Sequence, residues 1–257
     1  AAHSICVIDT TDPTLLGTPA DVSVECDAVP APATITTADT CDTAPTISFA
    51  EVRTDGSCPD EYTLARTWTA TDDCGNDVSS TQIVTVDDTV APTIACPAHS
   101  TLECPADTSV AANGSATGSD NCGATPIWSS DVSAPGCGTT QPITRTWSGS
   151  DDCGNSATCD QYVAVVDTSA PVLTVDTTPI TATDVDCDGS AAATLPSGSA
   201  SDACDGAVAV SNDAPALFPA GVTTPVMYTA TDACGNSANA QVDVTVLNGA
   251  NIHVEVA

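Results

Sequence analysis

The chain contains no lysine, and apart from three histidines its basic side chains are Arg53, Arg66 and Arg145. Set against 34 acidic residues, this leaves a formal net charge of -31. Such a surface repels nucleic acid and anionic membranes and attracts divalent cations, so no nucleic-acid partner is expected. No apolar run is long enough to span a bilayer, which argues against membrane insertion. A signal-peptide pattern is also missing, and a start at Ala1-Ala2-His3-Ser4 is what a mature, exported product would show. Without lysine, Lys-Asn isopeptide cross-links cannot form and trypsin has few sites, so resistance to trypsin is predicted.

Aromatics are equally scarce. Two Phe, three Tyr and three Trp in 257 residues leave a thin core to be built from Ala, Val and Thr. There is no apolar stripe of helical period. There is no HExxH, GxSxG or Cys/His partnership either, and His3, His99 and His253 are scattered. Paired carboxylates carry little information in so acidic a chain, and no catalytic residues are expected.

What the chain does have is 14 cysteines. With no CxxC knuckle and no Cys/His cluster, these point to disulfides in an oxidising compartment rather than to thiolate metal sites. One cysteine-bearing phrase recurs: TATDDCGN at 69–76, SGSDDCGN at 148–155 and TATDACGN at 229–236. The spacing of about 80 residues marks an array of one module. Upstream of each phrase come a VEC-like segment (Cys26, Cys104 or Cys187) and a TADTCD-like segment (Cys41, Cys122 or Cys204). Downstream comes a β-branched run closed by Asp-Thr and proline, as in VTVDDTVAPT at 84–93 and VAVVDTSAPV at 163–172.

The repeats therefore span 13–91, 92–170 and 171–249, flanked by strands at 1–12 and 250–257. Short Val/Ile/Thr runs, at 22–24, 82–86, 162–166 and 242–246, bounded by Pro, Gly, Asp and Asn, read as strands. The expectation is an all-β chain of three tandem immunoglobulin-like β-sandwich modules in an elongated rod. Trp68, Trp147 and Tyr228, each six residues before its phrase cysteine, are the expected core anchors.

Sequence alone does not fix disulfide connectivity, but the repeats act as controls on one another. The two loop cysteines survive in every repeat, which favours Cys41–Cys74, Cys122–Cys153 and Cys204–Cys234. That leaves Cys26–Cys58, Cys104–Cys137, and Cys96–Cys159, a pair found only in the second repeat. Each bridge would close a loop of roughly 30 to 60 residues and contribute about 3 to 4 kcal/mol on the chain-entropy model.

Cys6 and Cys187 remain. A whole module separates them, and a disulfide needs Cα atoms within about 7 Å, so the expected bond joins Cys6 to Cys187 of a neighbouring molecule. The alternatives are free thiols or another pairing in the third repeat. The ends agree with assembly. Residues 4–14 (SICVIDTTDPT) match the last strand of a repeat, and 250–257 (ANIHVEVA) resemble an opening strand. An orphan strand invites completion by another chain, and head-to-tail association that does not close gives a filament. The same frame also fits a piece of a longer array.

TWTATDDCGN, followed by QIVTVDDTVAPTIACP and LEC, resembles the hyalin repeat, or HYR, family across nearly the whole chain. The resemblance implies an immunoglobulin-like sandwich, an extracellular or cell-surface location, and roles in adhesion and surface architecture. The third repeat departs from the pattern: it lacks one cysteine and carries Leu247-Asn248-Gly249 in place of the Asp-Thr-Ala-Pro linker.

The acidic residues carry the plausible ligand chemistry, and calcium is the one expected cofactor. Asp184, Asp186 and Asp188 before Gly189 resemble the first half of a calcium loop, although Leu195 occupies the place of its closing glutamate. Asp72, Asp73 and Asn76, with Asp151, Asp152 and Asn155, are further candidates, near the linker carboxylates Asp87, Asp88 and Asp167. Turn chemistry explains the same residues equally well. Asn113-Gly114-Ser115 is a lone glycosylation sequon. The expected function is a structural subunit of an extracellular filament whose partners are copies of itself. The alternative is the stalk of a larger cell-surface adhesin that meets glycans or proteins.

Overall fold

The computed structural model describes residues 8–186 and 188–249, which fall into two compact units. Of these residues, the first unit comprises 8–97, 115–130 and 146–160, and the second 98–114, 131–145, 161–186 and 188–249. Among the described residues their regular structure is almost all strand, the exceptions being the 3-10 turn Cys26–Ala28 and the short helix Val110–Asn113. Cys6, His3, Cys187, His253 and the segment 250–257 lie outside the described residues.

In the first unit a long hairpin, Tyr62–Thr71 with Asp77–Asp87, forms the centre of a four-stranded sheet. Thr46–Asp55 flanks it on one side, antiparallel, and Val22–Glu25 on the other, parallel to Val84–Asp87. Along Tyr62–Thr71 every second residue from Leu64 onward is buried, as the period of a half-buried strand requires. Leu64, Val84 and Val86 pack with Val22, Val24 and Val29. Two short antiparallel pairs also lie in the unit, Thr14–Leu16 with Thr36–Ala38 and Thr93–Ala95 with Thr117–Ser119, as do parts of the adjacent strands Ile127–Ser133, Ile143–Ser150 and Ser156–Val166.

The second unit repeats the plan. Its sheet runs Ile180–Thr183, Ser237–Leu247, Thr223–Thr231, Val210–Asn212, again with one parallel pair at the edge. A second sheet of Val172–Thr174, Ser199–Asp202 and Gly206–Val208 sends Leu173 into the core formed by Val226, Tyr228, Val242, Val244 and Val246. Ser100–Glu103 pairs in parallel with Val163–Val166. Trp68, Trp147 and Tyr228 are all buried. The four Val/Ile/Thr runs read from the sequence all lie in strands.

The disulfides are where structure and expectation part. Cys26 is bonded to Cys122 and Cys58 to Cys153 in the first unit, and Cys137 to Cys234 in the second. These replace the expected Cys26–Cys58, Cys122–Cys153, Cys104–Cys137 and Cys204–Cys234. Cys41 and Cys74, also expected to pair, are both exposed free thiols. Cys96 is bonded to Cys159.

The reason is the polarity of the repeat. Cys26 follows a strand that ends beside Asp87, and Cys58 precedes Tyr62, whose partner is Val86, so both lie at one end of the hairpin. Cys74 lies in the turn beyond Thr71 and Asp77, at the other end, about 30 Å away along ten extended residues. In the first unit the Asp88 end of the first repeat meets the turn end of the second, bringing Cys122 and Cys153 to Cys26 and Cys58. In the second unit Cys104 and Cys204 are buried thiols in hydrogen-bond contact. Burial first, and then the Cys104 thiol, push Cys204 up to about 12.

Candidate functional site

The recurring phrase builds a reverse turn in which its first aspartate caps the backbone. Asp72 Oδ1 accepts from the amides of Cys74 and Asn76 at 3.0 and 2.8 Å. Asp151 and Asp232 do the same for Cys153 and Asn155, and for Cys234 and Asn236. Gly75, Gly154 and Gly235 have φ near 91 to 95°, the left-handed region a side chain avoids. The phrase asparagine then reaches into the preceding linker. Asn76 Nδ2 donates to the Asp9 carbonyl, Asn155 to that of Asp88 and Asn236 to that of Asp167, at 3.3, 3.0 and 3.1 Å.

This gives each candidate a concrete role. Asp72 is buried, and the Asn76 side chain, against burial, holds its carboxyl below the usual range. Asp73 is exposed, and its amide donates to Asp42. Asp152 is exposed. Asp184 is buried, with Oδ2 accepting from the Gly189 amide at 2.9 Å. Asp186 and Asp188 are exposed, and Asp188 accepts from the Ser190 amide and hydroxyl. The Asn113 side-chain amide donates to the carbonyls of Asp107 and Ser109, which holds the sequon nitrogen in place. His99 accepts from the Tyr162 amide at 2.9 Å, a structural contact.

A different set of carboxylates converges. In the first unit one oxygen each of Asp88, Asp120 and Asp151 lies within 4.8 Å of the other two, with Asp60 and Glu25 close to Asp88. In the second unit Asp167, Asp205 and Asp232 form the counterpart. Asp88 and Asp167 are buried, and each leaves Oδ2 without a hydrogen-bond partner. Burial, and then the charges of Asp151 and Asp120, raise the Asp88 carboxyl; burial, Asp202 and Asp232 raise that of Asp167. Asp120 is not among the residues the sequence patterns single out, although an aspartate stands two residues before the first loop cysteine in every repeat: Asp39, Asp120 and Asp202.

No protein-family model matches the chain, and no curated protein matches its sequence. Among solved structures it is similar to Drosophila N-cadherin EC1-4, at 14% identity over 92% of this chain and 76% of that one, with a TM-score of 0.34. Mouse cadherin-23 EC22-24 is similar at 10% identity over 92% and 99%, with a TM-score of 0.35. Human CDH23 EC21-23 is similar at 15% identity over 91% and 100%, with a TM-score of 0.33. Likenesses this distant assign no family, so the hyalin-repeat resemblance rests on the phrases themselves.

Proposed function

We propose that this chain is a structural protein of the extracellular space: three immunoglobulin-like modules of hyalin-repeat type, joined end to end and continued by further copies into a filament. The observation that carries this reading is the set of bridges between repeats, Cys26–Cys122, Cys58–Cys153 and Cys137–Cys234, with separations of 96, 95 and 97 residues. A chain that locks each repeat to the next covalently is suited to bearing load.

The same rule names the joint between copies. Cys41 is the first repeat's counterpart of Cys122 and Cys204, and Cys74 that of Cys153 and Cys234. Both thiols are exposed, and together with Asp9, Asp42, Thr43, Asp72 and Asp73 they line a pocket of ≈ 320 Å³. Cys187 is the third repeat's counterpart of Cys26 and Cys104. Its partner by this rule is Cys41 of a second copy, which replaces the Cys6–Cys187 bond first expected. Where Cys58 and Cys137 would have their third-repeat equivalent stands Phe218, buried in the core. The joint therefore carries one bridge of this kind, and the segments 1–12 and 250–257, expected from the sequence to complete one another's sheets, would add main-chain hydrogen bonds there.

Disulfide mapping of the native protein, with reducing and non-reducing gels, tests this. The expected result is a ladder that collapses on reduction, with a peptide linking Cys41 to Cys187, and a Cys41→Ser variant that yields monomers. A monomer with Cys41 bonded to Cys74 overturns the filament. Cys41 bonded to a cysteine of a further repeat in the same polypeptide overturns it in favour of the stalk of a larger adhesin.

A further inference from the structure

We propose that Asp88, Asp120 and Asp151 form a binding site for a hard divalent cation, calcium by its donor set, at the junction of the first and second repeats. Each of these aspartates divides its carboxylate in the same way. Oδ1 is spent on a local turn: Asp88 accepts from the Val90 amide, Asp120 from Cys122, and Asp151 from Cys153 and Asn155. Oδ2 of all three is buried and has no hydrogen-bond partner. Asp88 and Asp151 are themselves more than nine-tenths buried, at 9% and 8% exposure. One carboxylate oxygen of each lies within 4.8 Å of the other two, and three carboxylates so close and so largely withdrawn from water repel strongly unless a positive charge sits among them.

Among the described residues no such charge is at hand. The chain contains no lysine, and its arginines are engaged elsewhere: Arg53 with Asp55, Arg66 with Glu51, Arg145 with Asp131. The compensating charge must then come from solution.

Ligand chemistry selects the ion. The cysteines beside the cluster, Cys122 and Cys153, are tied up in disulfides, so no thiolate is present and the donors are all oxygen. All-oxygen donors suit calcium or magnesium rather than zinc or copper. Aspartates anchored on separate turns offer irregular geometry, which calcium tolerates and magnesium, with its demand for a near-ideal octahedron, does not. At the second unit's counterpart, Asp205 Oδ2 accepts from the Ala233 amide and Asp232 Oδ2 from Asn236 Nδ2, so those oxygens are already used. The first junction is therefore the assigned site. A cation there would tie the Asp88 linker to the Asp120 and Asp151 loops, reinforcing the joint that Cys26–Cys122 and Cys58–Cys153 close covalently.

Calcium titration of the chelator-treated, oxidised full chain, by calorimetry and thermal melting, decides the matter. One equivalent is expected to bind with Kd of about 0.1 to 1 mM, the range of extracellular modules, and to raise the melting midpoint. Asp120→Asn keeps the acceptor for the Cys122 amide and removes the charge. In that variant, and in Asp88→Asn, calcium affinity should fall by about tenfold or more, while the calcium-free midpoint stays level or rises because repulsion is relieved. Three results would overturn the site: no response beyond that of sodium chloride at matched ionic strength, an equal response to magnesium, or wild-type calcium affinity in both variants.

Discussion

Two arginines occupy positions where strand alternation asks for an apolar side chain. Arg66 and Arg145 are buried, with their guanidinium groups on Glu51 and Asp131 at 2.7 Å and on the carbonyls of Pro30 and Thr108 at 2.9 Å. In the third repeat the same position is Val226, in a core that includes Ala214, two residues beyond the Asn212–Tyr228 pair. Charged and apolar solutions thus alternate at one site, as expected if a buried pair and a packed isostere are close in free energy. Asp131→Asn removes one partner only. It should cost about 1 to 3 kcal/mol, discounted because Asp131 is 41% exposed. Arg145→Val with Asp131→Ala, imitating Val226 and Ala214, should recover most of that; urea unfolding measures both. The pair also sets a pH dependence. Its hydrogen bond with Arg145, against burial, holds the Asp131 carboxyl below the usual range. A depressed carboxylate contributes stability that is fully present above its unfolded value, about 3.9, and is lost as pH falls through the folded one. Wild type should therefore lose its advantage over Asp131→Asn in that acidic window.

At the scale of elements, the hairpins explain the threonine-rich composition. Across the exposed face of the first, Thr67 meets Thr81 and Thr69 meets Ser79 through their hydroxyls at 2.9 and 2.8 Å. Thr231 with Ser237 and Thr223 with Thr245 repeat this in the second unit. Such cross-strand pairs and the β-branched stems stabilise a sheet that has few aromatics to pack. The connecting turn was legible in the sequence, because aspartate, glycine and asparagine at fixed offsets have a mechanism. By contrast, the ten-residue strand Thr46–Asp55 was not read as a strand. Every residue in it is exposed, the brief alternation of Ile47 and Phe49 gives way to Glu51 and Arg53 on the same face, and what holds it is its register against Tyr62–Thr71. For the turn, Gly154→Ala meets no neighbour within 4 Å but must adopt a φ of 95°. The cost should be about 1 to 2 kcal/mol from backbone strain alone, read as a lower urea midpoint with an unchanged slope.

At the scale of the whole molecule, the bridges dominate. Each disulfide between repeats closes a loop of about 95 residues, for which the chain-entropy model gives about 4 to 5 kcal/mol. Peptide mapping under oxidising conditions should find Cys26–Cys122, Cys58–Cys153 and Cys137–Cys234. It should also find Cys104 bonded to Cys204, since those two thiols touch and are the counterparts of Cys26 and Cys122. Recovery of Cys104 linked to Cys137 would contradict this arrangement. Trypsin offers a second readout. With Arg66 and Arg145 buried, the oxidised protein should be cut at the half-exposed Arg53 or not at all, and at all three arginines once reduced and unfolded.

Some of this was determined by the sequence alone: a repeated all-β chain, cysteines meant for an oxidising setting, Trp68, Trp147 and Tyr228 as anchors, and turns built on Asp-x-Cys-Gly-Asn. These are local properties, carried by residues a few positions apart. Tertiary structure alone decided the partners of the cysteines that recur from repeat to repeat, and that Asp88, Asp120 and Asp151 converge while Asp186 and Asp188 lie exposed. The physical reason is translational. In a periodic chain every residue has an equivalent one repeat away, so spacing and co-occurrence cannot distinguish a contact within a repeat from one to the next. Only the meeting of two repeat ends in space breaks that degeneracy.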